Sequence, residues 1–545
     1  MNLEKPYLAV VFGALLFLGV STLWDHRLQH EFPYGYMASD TFQQQTRAEG
    51  IKDAGNYRLE PFYIVKGYQD VIGYYPSVIH HLGIILHFSS GIPLYDTIYF
   101  MAFLSAILSS FVMYILIRTF NKQIAMLSLP LSILLFSSKS YIGFLFGHWA
   151  SITGQLFLIC IFWSVSRIEL SKSEILLGIF IGALALSHTS ELVYGVGFIF
   201  VYAIFLLFFR KFDLKFVKKV SIAGIISGVV SFYTIFIFTK SFAIINPYHF
   251  EISNDWGGTP IFYLTDFKLL LIFMMIGVVS GFMLLKKFDV PVIAGLYMLG
   301  IGYTNYIGFG IRAFQPRLLW PVYFSFFFGM GLYALIKLIP SAFRSISVFG
   351  TGIAIMLLLS NIIPVPNIPT YYKISSSGLM DPWHWQAFQW LGQNTPKGAR
   401  LYFFYGDVYD QDAILRNSKR THAQVVPQDF FAALQNRSVK RVYTSEVPAD
   451  HGAGMPYKKS FLNIGLHQVE DNAKTYIMWG DSFDVCIFDY FIFDKASRQK
   501  ILADYNLLIA NDMLKRGSQK VFENDVVIIL KNNKVGGDCI EERSF

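Results

Sequence analysis

Long apolar runs separated by short polar segments occupy most of this chain. Between Pro6 and Ile363 the runs recur regularly, and about 20 apolar residues in a helix are enough to cross roughly 30 Å of hydrocarbon. About eleven runs approach that length. They lie at 6–24, 97–118, 123–137, 150–166, 174–187, 192–209, 219–238, 267–285, 290–306, 317–338 and 345–363. The pattern predicts a polytopic α-helical membrane protein of about 11 transmembrane helices.

Basic residues between the runs predict the orientation of the chain. They concentrate in alternate loops, and basic residues near the ends of spans stay on the cytoplasmic side. The basic loops hold Arg118, Lys122, Arg167, Lys172, Arg210, Lys211, Lys215, Lys218, Lys219, Lys286, Lys287, Lys337 and Arg344. We therefore expect a cytoplasmic N-terminus, with the long first loop 25–94 and all residues after 363 outside the cytoplasm. The first run, which follows Lys5, reads as an uncleaved anchor.

Hydropathy falls sharply near Pro364, and residues 364–545 have the composition of a soluble domain. In this part Asp381 and Pro382 mark the start of a helix. Short β-rich runs such as "ARLYFFYG", "KRVYTSEV", "KTYIMWG", "VCIFDYFIFD" and "DVVIILKN" are interspersed with helical patterns such as "SRQKILADYNLLIANDMLKRG". The chain is therefore predicted to comprise a membrane domain, 1–363, and an extracytoplasmic α/β domain, 364–545. Cys486 and Cys539 fall in the second domain, where an oxidising compartment would permit a disulfide.

Two helices are predicted inside the first outer loop. "SDTFQQQTRAEGIKDAG" reads as a helix at the membrane surface, capped by Ser39 or Asp40 and ended between Gly50 and Gly55. "YYPSVIHHLGIILHF" reads as a second helix with Pro76 in its first turn. A loop of this length with helices of its own is rarely a simple connector.

Composition narrows the class of protein. Among 545 residues, 54% are hydrophobic and 15% charged, too few charges for a soluble protein of this size. The formal charge of +8 follows largely from the cytoplasmic loops, so it does not indicate a nucleic-acid partner. The sequence has no phosphate-binding P-loop, dinucleotide fingerprint, zinc-type cysteine spacing or nucleophile elbow. A substrate presented from the bilayer is the natural alternative to a nucleotide.

Ionisable residues gather at the predicted outer ends of the spans, where each is costly to hold without a partner and is a functional candidate by default. These candidates are Asp40, Arg47, Glu49, His80, His81, His148, His188, Glu191, His249, Glu251, Asp255, Arg312 and Arg317.

Several candidates also have an ordinary structural reading. Asp40 followed by Gln43 fits a capping box, in which the carboxylate accepts backbone N–H groups. Interfacial histidines such as His148 and His188 often bond only a neighbouring carbonyl group. Arg312 and Arg317 can extend to lipid headgroups, and Glu251 and Asp255 fit ordinary loop acids.

The first loop carries a family resemblance. One span followed by "SDTFQQQTRAEGI" and then "YYPSVIHHL" resembles the GT-C superfamily of polyprenyl-phosphate-dependent membrane glycosyltransferases. "LSHTSEL" resembles a His-containing segment seen in many of them, and "WLGQNTPKGARLYFF" looks like the junction to their outer domain. The resemblance extends over the whole chain as architecture, although its motifs are short.

The resemblance implies transfer of a sugar from a polyprenyl phosphate or diphosphate to an acceptor, with inversion. An acidic residue of the first loop then serves as general base, a role that Asp40 matches. Basic residues hold the leaving phosphate, as Arg312 or Arg317 could with a planar guanidinium. The further substrate-binding candidates are Tyr75, His80, His148, Glu251 and Asp255.

Departures from better-known branches bear on metal dependence. Oligosaccharyltransferases carry an Asp-x-Asp element in the second outer loop and a Trp-Trp-Asp motif, whereas "SSKSYIGFLFGHW" contains no acid and the outer domain lacks that motif. Protein O-mannosyltransferases place two adjacent acids in the first loop, whereas Asp40 lies between Ser39 and Thr41. The resemblance therefore favours a metal-independent enzyme with no cofactor, although a divalent metal stays possible.

The leading hypothesis is an integral-membrane hexosyl- or pentosyltransferase of the cell envelope, in the cytoplasmic membrane. Its expected partners are a polyprenyl-phosphate-linked sugar, membrane lipids, and a glycan, lipid or protein acceptor. A flippase or transporter of lipid-linked glycans would use the same arginines without a base. A non-catalytic assembly subunit would need none of these residues.

Overall fold

The computed structural model describes residues 3–23, 30–56, 61–64, 75–244, 269–285, 289–303, 318–362, 379–409, 412–444, 457–459, 466–468, 482–497 and 499–544. The chain divides into two compact units. The first, here called the helical unit, comprises Met1–Asp25, Tyr74–Leu86 and Thr97–Asn367. The second, the sheet unit, comprises His26–Gly73, His87–Asp96 and Ile368–Phe545.

Fourteen helices precede residue 363 in the described part of the chain. They are α1 Glu4–Leu23, α2 Ser39–Ala54, α3 Val78–Ser90, α4 Leu94–Phe120, α5 Lys122–Ser128, α6 Ser138–Leu145, α7 Trp149–Ser166, α8 Ser173–Ala185, α9 Thr189–Phe208, α10 Leu214–Ile244, α11 Leu270–Leu284, α12 Val290–Gly302, α13 Trp320–Ile336 and α14 Ser341–Ile362. A 3₁₀ helix, Leu129–Phe136, continues α5.

The helices agree with the apolar pattern of the sequence. Each of the predicted runs overlaps a helix. The run 123–137 corresponds to α5 together with the 3₁₀ helix that follows it. Within the described residues, α1, α4, α7, α9, α10 and α14 are long and apolar enough to cross a membrane. The others in this set are shorter apolar helices. The chain is an integral membrane protein, and the number of its crossings stays a prediction.

Glycines let two helices of the helical unit approach at backbone distance. A Cβ atom at Gly277 of α11 would collide with the carbonyl group of Phe327 on α13. A Cβ at Gly331 of α13 would collide with the carbonyl group of Phe273 on α11. Lipid provides no hydrophobic driving force between helices, so small residues at such crossings stabilise the packing through close van der Waals contact.

The sheet unit is built on a five-stranded sheet in the order β2-β1-β8-β10-β9. Its strands are β1 Arg400–Phe403, β2 Thr421–Gln424, β8 Tyr490–Asp494, β9 Gln519–Glu523 and β10 Val527–Lys531. β1 runs parallel to β2 and β8, whereas β10 runs antiparallel to β8 and β9.

In the described residues of this unit, short strand pairs and four further helices accompany the sheet and α2. The pairs join β3 Ser438–Val439 to β11 Arg543–Ser544, β4 Val442–Thr444 to β7 Ser482–Asp484, and β5 Tyr457–Lys459 to β6 Leu466–Gln468. The helices are α15 Pro382–Asn394, α16 Asp412–Leu415, α17 Pro427–Gln435 and α18 Lys500–Lys515. A sheet-containing C-terminal region is therefore confirmed, while the predicted run "KTYIMWG" lies outside the described residues.

Aromatic side chains form the core of the sheet unit. Phe404 of the segment after β1 stacks on Phe493 of β8 at a centroid distance of 4.2 Å. Ile509 of α18 is fully buried in the same cluster. Cys486 and Cys539 form a disulfide, which joins the residues before β8 to the C-terminal segment.

The two units do not follow the predicted boundary at residue 363, because most of the first loop groups with the C-terminal residues. Within the sheet unit, Gln45 of α2 donates from Nε2 to Oδ1 of Asn417 at 2.8 Å. Lys419 reaches Asp53 near the end of α2 at 2.7 Å. These contacts join segments more than 360 positions apart in the sequence, which hydropathy alone does not predict.

Candidate functional site

The helix α2 is polar in sequence and buried in structure. Its Thr41, Gln43, Gln44, Gln45, Thr46 and Arg47 are each 7% exposed or less. Polar side chains of this kind are mostly exposed in folded proteins, because burial costs free energy unless hydrogen bonds replace the lost water. A helix that buries amides and hydroxyls on several sides is therefore a candidate functional element.

Asp40 lies in the first turn of α2 and is half-buried. The predicted cap is wrong: the N-cap residue is Ala38, whose side chain makes no capping hydrogen bond. Thr41 instead donates its hydroxyl to the Ala38 carbonyl group. The carboxylate of Asp40 is still favoured in this place, because the N-terminus of a helix carries a partial positive charge. At the other end Gly55 adopts φ 66°, which ends the helix as predicted.

A cavity of about 330 Å³ lies within the sheet unit beside α2. Gln45, Glu49 and Lys52 line it from one face of α2, since residues spaced by four and three positions share a helical face. Trp385 and Gln389, four positions apart on α15, contribute a second wall. The lining thus combines an aromatic ring, amides and charged groups.

Paired charges surround this cavity. Glu49 contacts Lys52 at 2.6 Å and Lys419 at 3.4 Å, and Lys419 also contacts Asp53 at 2.7 Å. Burial lowers the pKa of Lys419, but Glu49 and Asp53 outweigh that effect and leave the pKa above its usual value. Lys419 therefore carries its charge at neutral pH.

Arg416, which also lines the cavity, belongs to a second polar network. Arg416 donates from Nε and from one terminal nitrogen to Asp412 at 2.9 and 2.6 Å, and Nε2 of His422 lies 3.0 Å from the other carboxylate oxygen. Such a paired guanidinium is held in a fixed plane. Among the described residues no group of three or more His, Cys, Asp or Glu side chains is placed to hold a metal ion.

In the helical unit the structure places three of the predicted residues. Tyr75 and His80 lie with their ring centroids 5.9 Å apart, and His80 is 1% exposed on α3. His148 is the N-cap residue that precedes α7; it is half-buried, and its side chain makes no capping hydrogen bond. Tyr75 and His80 are thus brought together, while their role in binding stays a prediction.

A buried carboxylate also lies in the helical unit. Glu191 is fully buried and accepts a hydrogen bond from Ser151 Oγ at 2.5 Å. Its other oxygen pairs with Nδ1 of His188. Gly154 of α7 faces His188 and Glu191 closely enough that a Cβ would lie 3.3 Å from the His188 Cβ. "LSHTSEL" thus forms a compact polar cluster rather than a separate histidine bonded only to a carbonyl group.

Four of the predicted substrate-binding residues lie outside the described residues: Arg312, Arg317, Glu251 and Asp255. His249 lies outside them as well.

Sequence reasoning did not find the cavity residues Gln45, Trp385 and Lys419. No motif marks them, and they are drawn together by tertiary contacts. One signal was available, because a run of Gln, Thr and Arg in a helix beside a membrane span is unusual if that helix is only a surface element.

No protein-family model matches the chain, and no curated protein matches it in sequence. Solved structures do match it. The apo structure of ArnT from Cupriavidus metallidurans aligns with a TM-score of 0.56 and 10% identity, covering 99% of each chain. The same protein bound to undecaprenyl phosphate aligns with a TM-score of 0.54 and 11% identity, covering 99% of this chain and 100% of that one.

A third match is the mycobacterial arabinofuranosyltransferase AftD, with a TM-score of 0.54 and 11% identity. It covers 97% of this chain and 40% of AftD. At these identities the likeness concerns the fold, and both proteins belong to the superfamily that the first loop resembles. Because the ArnT alignments extend over both units of the chain, the resemblance is confirmed, and the chain has the GT-C fold.

Proposed function

We propose that the chain is an integral-membrane, inverting glycosyltransferase that moves a hexose or pentose from a polyprenyl phosphate or diphosphate to an acceptor on the outer face of the membrane. The observation that carries the proposal is the GT-C fold over the whole chain, together with Asp40 in the first turn of a buried polar helix. The N-terminus is then cytoplasmic and residues 364–545 are extracytoplasmic, as the basic loops predict.

In the proposed reaction Asp40 is the general base. Its carboxylate accepts the proton of an acceptor hydroxyl or amide as that group attacks the anomeric carbon. A new glycosidic bond forms on one face of the sugar, and the bond from the anomeric carbon to phosphate oxygen breaks on the other. The lipid leaves as its phosphate or diphosphate, and the stereochemistry at the anomeric carbon inverts.

The leaving phosphate needs positive charge, which the proposal assigns to Arg312 and Arg317. A guanidinium binds two phosphate oxygens in one plane and stabilises the charge that develops as the bond breaks. Tyr75, His80, His148, Glu251 and Asp255 are proposed to contact the substrates. No residue in this scheme requires a metal ion.

The test is release of polyprenyl phosphate or diphosphate from a panel of lipid-linked sugars by the purified full-length protein. We expect Asp40→Asn to lower turnover at least about 100-fold, since a positioned general base typically contributes a factor of 10²–10⁴. Binding of the donor and the melting temperature are expected to stay unchanged. The matched control is Asp504→Asn, the same change on the exposed face of α18.

Three results would count against the proposal. Equal turnover by Asp40→Asn would remove Asp40 as the base and direct attention to Glu251 and Asp255. Transport of lipid-linked glycan across vesicles with no lipid phosphate released would identify a flippase. If Asp40, Arg312 and Arg317 can all be replaced without effect, the chain acts as a non-catalytic subunit.

A further inference from the structure

The cavity beside α2 has the features of a carbohydrate site. We propose that it binds a neutral sugar of one or two rings. This binding does not rest on the proposed function. The volume of about 330 Å³ lies at the lower end of the range for small-molecule sites, roughly 300–1,000 Å³.

Gln45 presents an oxygen that lacks a donor. Asn417 Nδ2 donates to the Ile414 carbonyl group at 2.9 Å, which turns Asn417 Oδ1 toward Gln45. Gln45 must then donate from Nε2 to Asn417 Oδ1, at 2.8 Å. The hydrogen-bond network therefore fixes the orientation of the Gln45 amide. The remaining Gln45 Oε1 is buried and finds no partner within the described part of the chain.

A buried carbonyl oxygen without a donor is energetically unfavourable. Gln45 belongs to the lining of the cavity and is almost fully buried, so a ligand hydroxyl supplies the missing hydrogen bond when the amide shifts toward the cavity. Gln389, across the cavity, offers a second amide that can both donate and accept. A pair of amides of this kind suits neighbouring hydroxyls, each of which can donate one hydrogen bond and accept another.

An aromatic wall complements the amides. Trp385 packs edge-to-face on Tyr95, with ring centroids 5.5 Å apart, and both residues line the cavity. Trp385 is half-buried, and Tyr95 holds its ring from the side. The face of a pyranose that carries axial C–H groups is apolar and can stack on an aromatic ring, while the hydroxyls at its edge stay available for hydrogen bonds.

The charges at the cavity favour a neutral ligand. Each of the lysine and arginine side chains that line it has a carboxylate partner: Lys52 has Glu49, Lys419 has Glu49 and Asp53, and Arg416 has Asp412, which it meets through Nε and one of its two terminal nitrogens. A phosphate or carboxylate ligand would compete with these existing ion pairs for the same cations. A polyhydroxyl ligand can accept from the lysines and donate to the carboxylates without displacing either.

The experiment uses the full-length protein in detergent, without any donor lipid. A glycan array of neutral, amino and acidic oligosaccharides identifies a bound sugar, and isothermal titration measures its affinity. We expect a neutral sugar to bind, with Kd raised at least about tenfold in Trp385→Ala and in Gln45→Leu. Trp390→Ala is the matched control, because Trp390 lies on the same helix but packs against Phe522.

Unchanged melting temperatures exclude misfolding of the variants, and Gln389→Ala serves as a milder change if Trp385→Ala fails to fold. The proposal is overturned if the wild type binds no carbohydrate, or if Trp385→Ala and Gln45→Leu bind it as well as the wild type. It is also overturned if inorganic phosphate or glucose 1-phosphate binds instead and is lost in the same two variants, which would make the cavity an anion site.

The same variants separate this proposal from the proposed function. Binding of sugar in the cavity without release of lipid phosphate from any donor would leave the carbohydrate site and remove the transferase. Turnover of a donor by a protein that binds no carbohydrate in the cavity would keep the transferase and remove the carbohydrate site. Binding is to be measured in Asp40→Asn as well, where it is expected to match the wild type.

Discussion

Two helices of the sheet unit, α2 and α18, have 16 residues each and are buried for different reasons. In α18 the apolar residues Leu502, Tyr505, Ile509 and Met513 recur every three or four positions and pack on the sheet. In α2 six of the nine buried positions hold Gln, Thr or Arg, and the other three hold Phe42, Ala48 and Gly50.

The hydrophobic effect explains the burial of α18, since its apolar face leaves water when it meets the core. It does not explain the burial of α2, whose side chains had good hydrogen bonds in water. Burial of this second kind is maintained by specific partners such as Asn417 for Gln45. The difference indicates that α18 stabilises the unit through its apolar face, whereas α2 is the helix on which the proposed sites depend.

The largest expected effect on stability concerns α18. Ile509→Ala removes a fully buried side chain from the core, and such changes cost about 2–5 kcal/mol through lost burial and the cavity left behind. Leu508→Ala on the same helix is the control, because Leu508 is 44% exposed and should cost within about 0.5 kcal/mol. Chemical denaturation of the sheet unit in the full-length protein measures both, and equal costs would mean that α18 does not pack on the sheet.

The next prediction concerns a buried polar network that, in contrast to the cavity, has no opening. His384 lies between Asp381 at 2.6 Å and Asp494 at 2.9 Å, and it is fully buried. Burial lowers the pKa of His384, but the two carboxylates outweigh burial and raise the pKa well above its usual value. Burial likewise raises the pKa of Asp381, and His384 outweighs it, so that this pKa ends below its usual value.

Because the His384 pKa is raised on folding, its contribution to stability is complete below the unfolded pKa of about 6.5 and is lost as the pH rises through the folded value. Because the Asp381 pKa is depressed, its contribution is lost as the pH falls through the folded value. We expect the stability advantage of the wild type over His384→Gln to be greatest between the unfolded pKa of Asp381 and the unfolded pKa of His384. The advantage should shrink at alkaline pH. Melting temperatures of both proteins across the pH range measure this, and a constant difference would show that His384 is neutral in the fold.

The smallest effect on stability is expected on the cavity face of α2. Glu49→Gln weakens the contacts to Lys52 and Lys419, whose side chains are 23% and 35% exposed. Ion pairs of this kind contribute less than about 1 kcal/mol, so the melting temperature should hardly change. A large loss would mean that α2 is a structural helix like α18, which would break the comparison.

Much of the architecture could be predicted from the sequence. Apolar runs predicted the helices, and the start of α15 was placed correctly, because Asp381 accepts from the His384 backbone N–H and Pro382 follows it. The helix α18 also agrees with its apolar periodicity. The strands β2 and β9 were not predicted, since Thr421–Gln424 and Gln519–Glu523 lack an apolar alternation and are recognisable only by their pairing in the sheet.

The site was predicted less completely. The position of Asp40 near the start of α2 followed from local sequence, but its role as a cap did not hold, since a helix can begin one or two residues from the best capping side chain. The carboxylate of Glu191 was noticed in the sequence, while its bond to Ser151 was not.

By itself, the sequence determined where the chain forms apolar helices, where its soluble region begins and which loop carries the acidic residue, because hydropathy and helix signals act over a few neighbouring residues. Only the tertiary structure decided that α2 is buried and that Gln45 meets Asn417, 372 positions away. Contacts over such distances depend on how the whole chain packs, and a polar side chain has the same local sequence signal whether it faces water, a partner or a cavity.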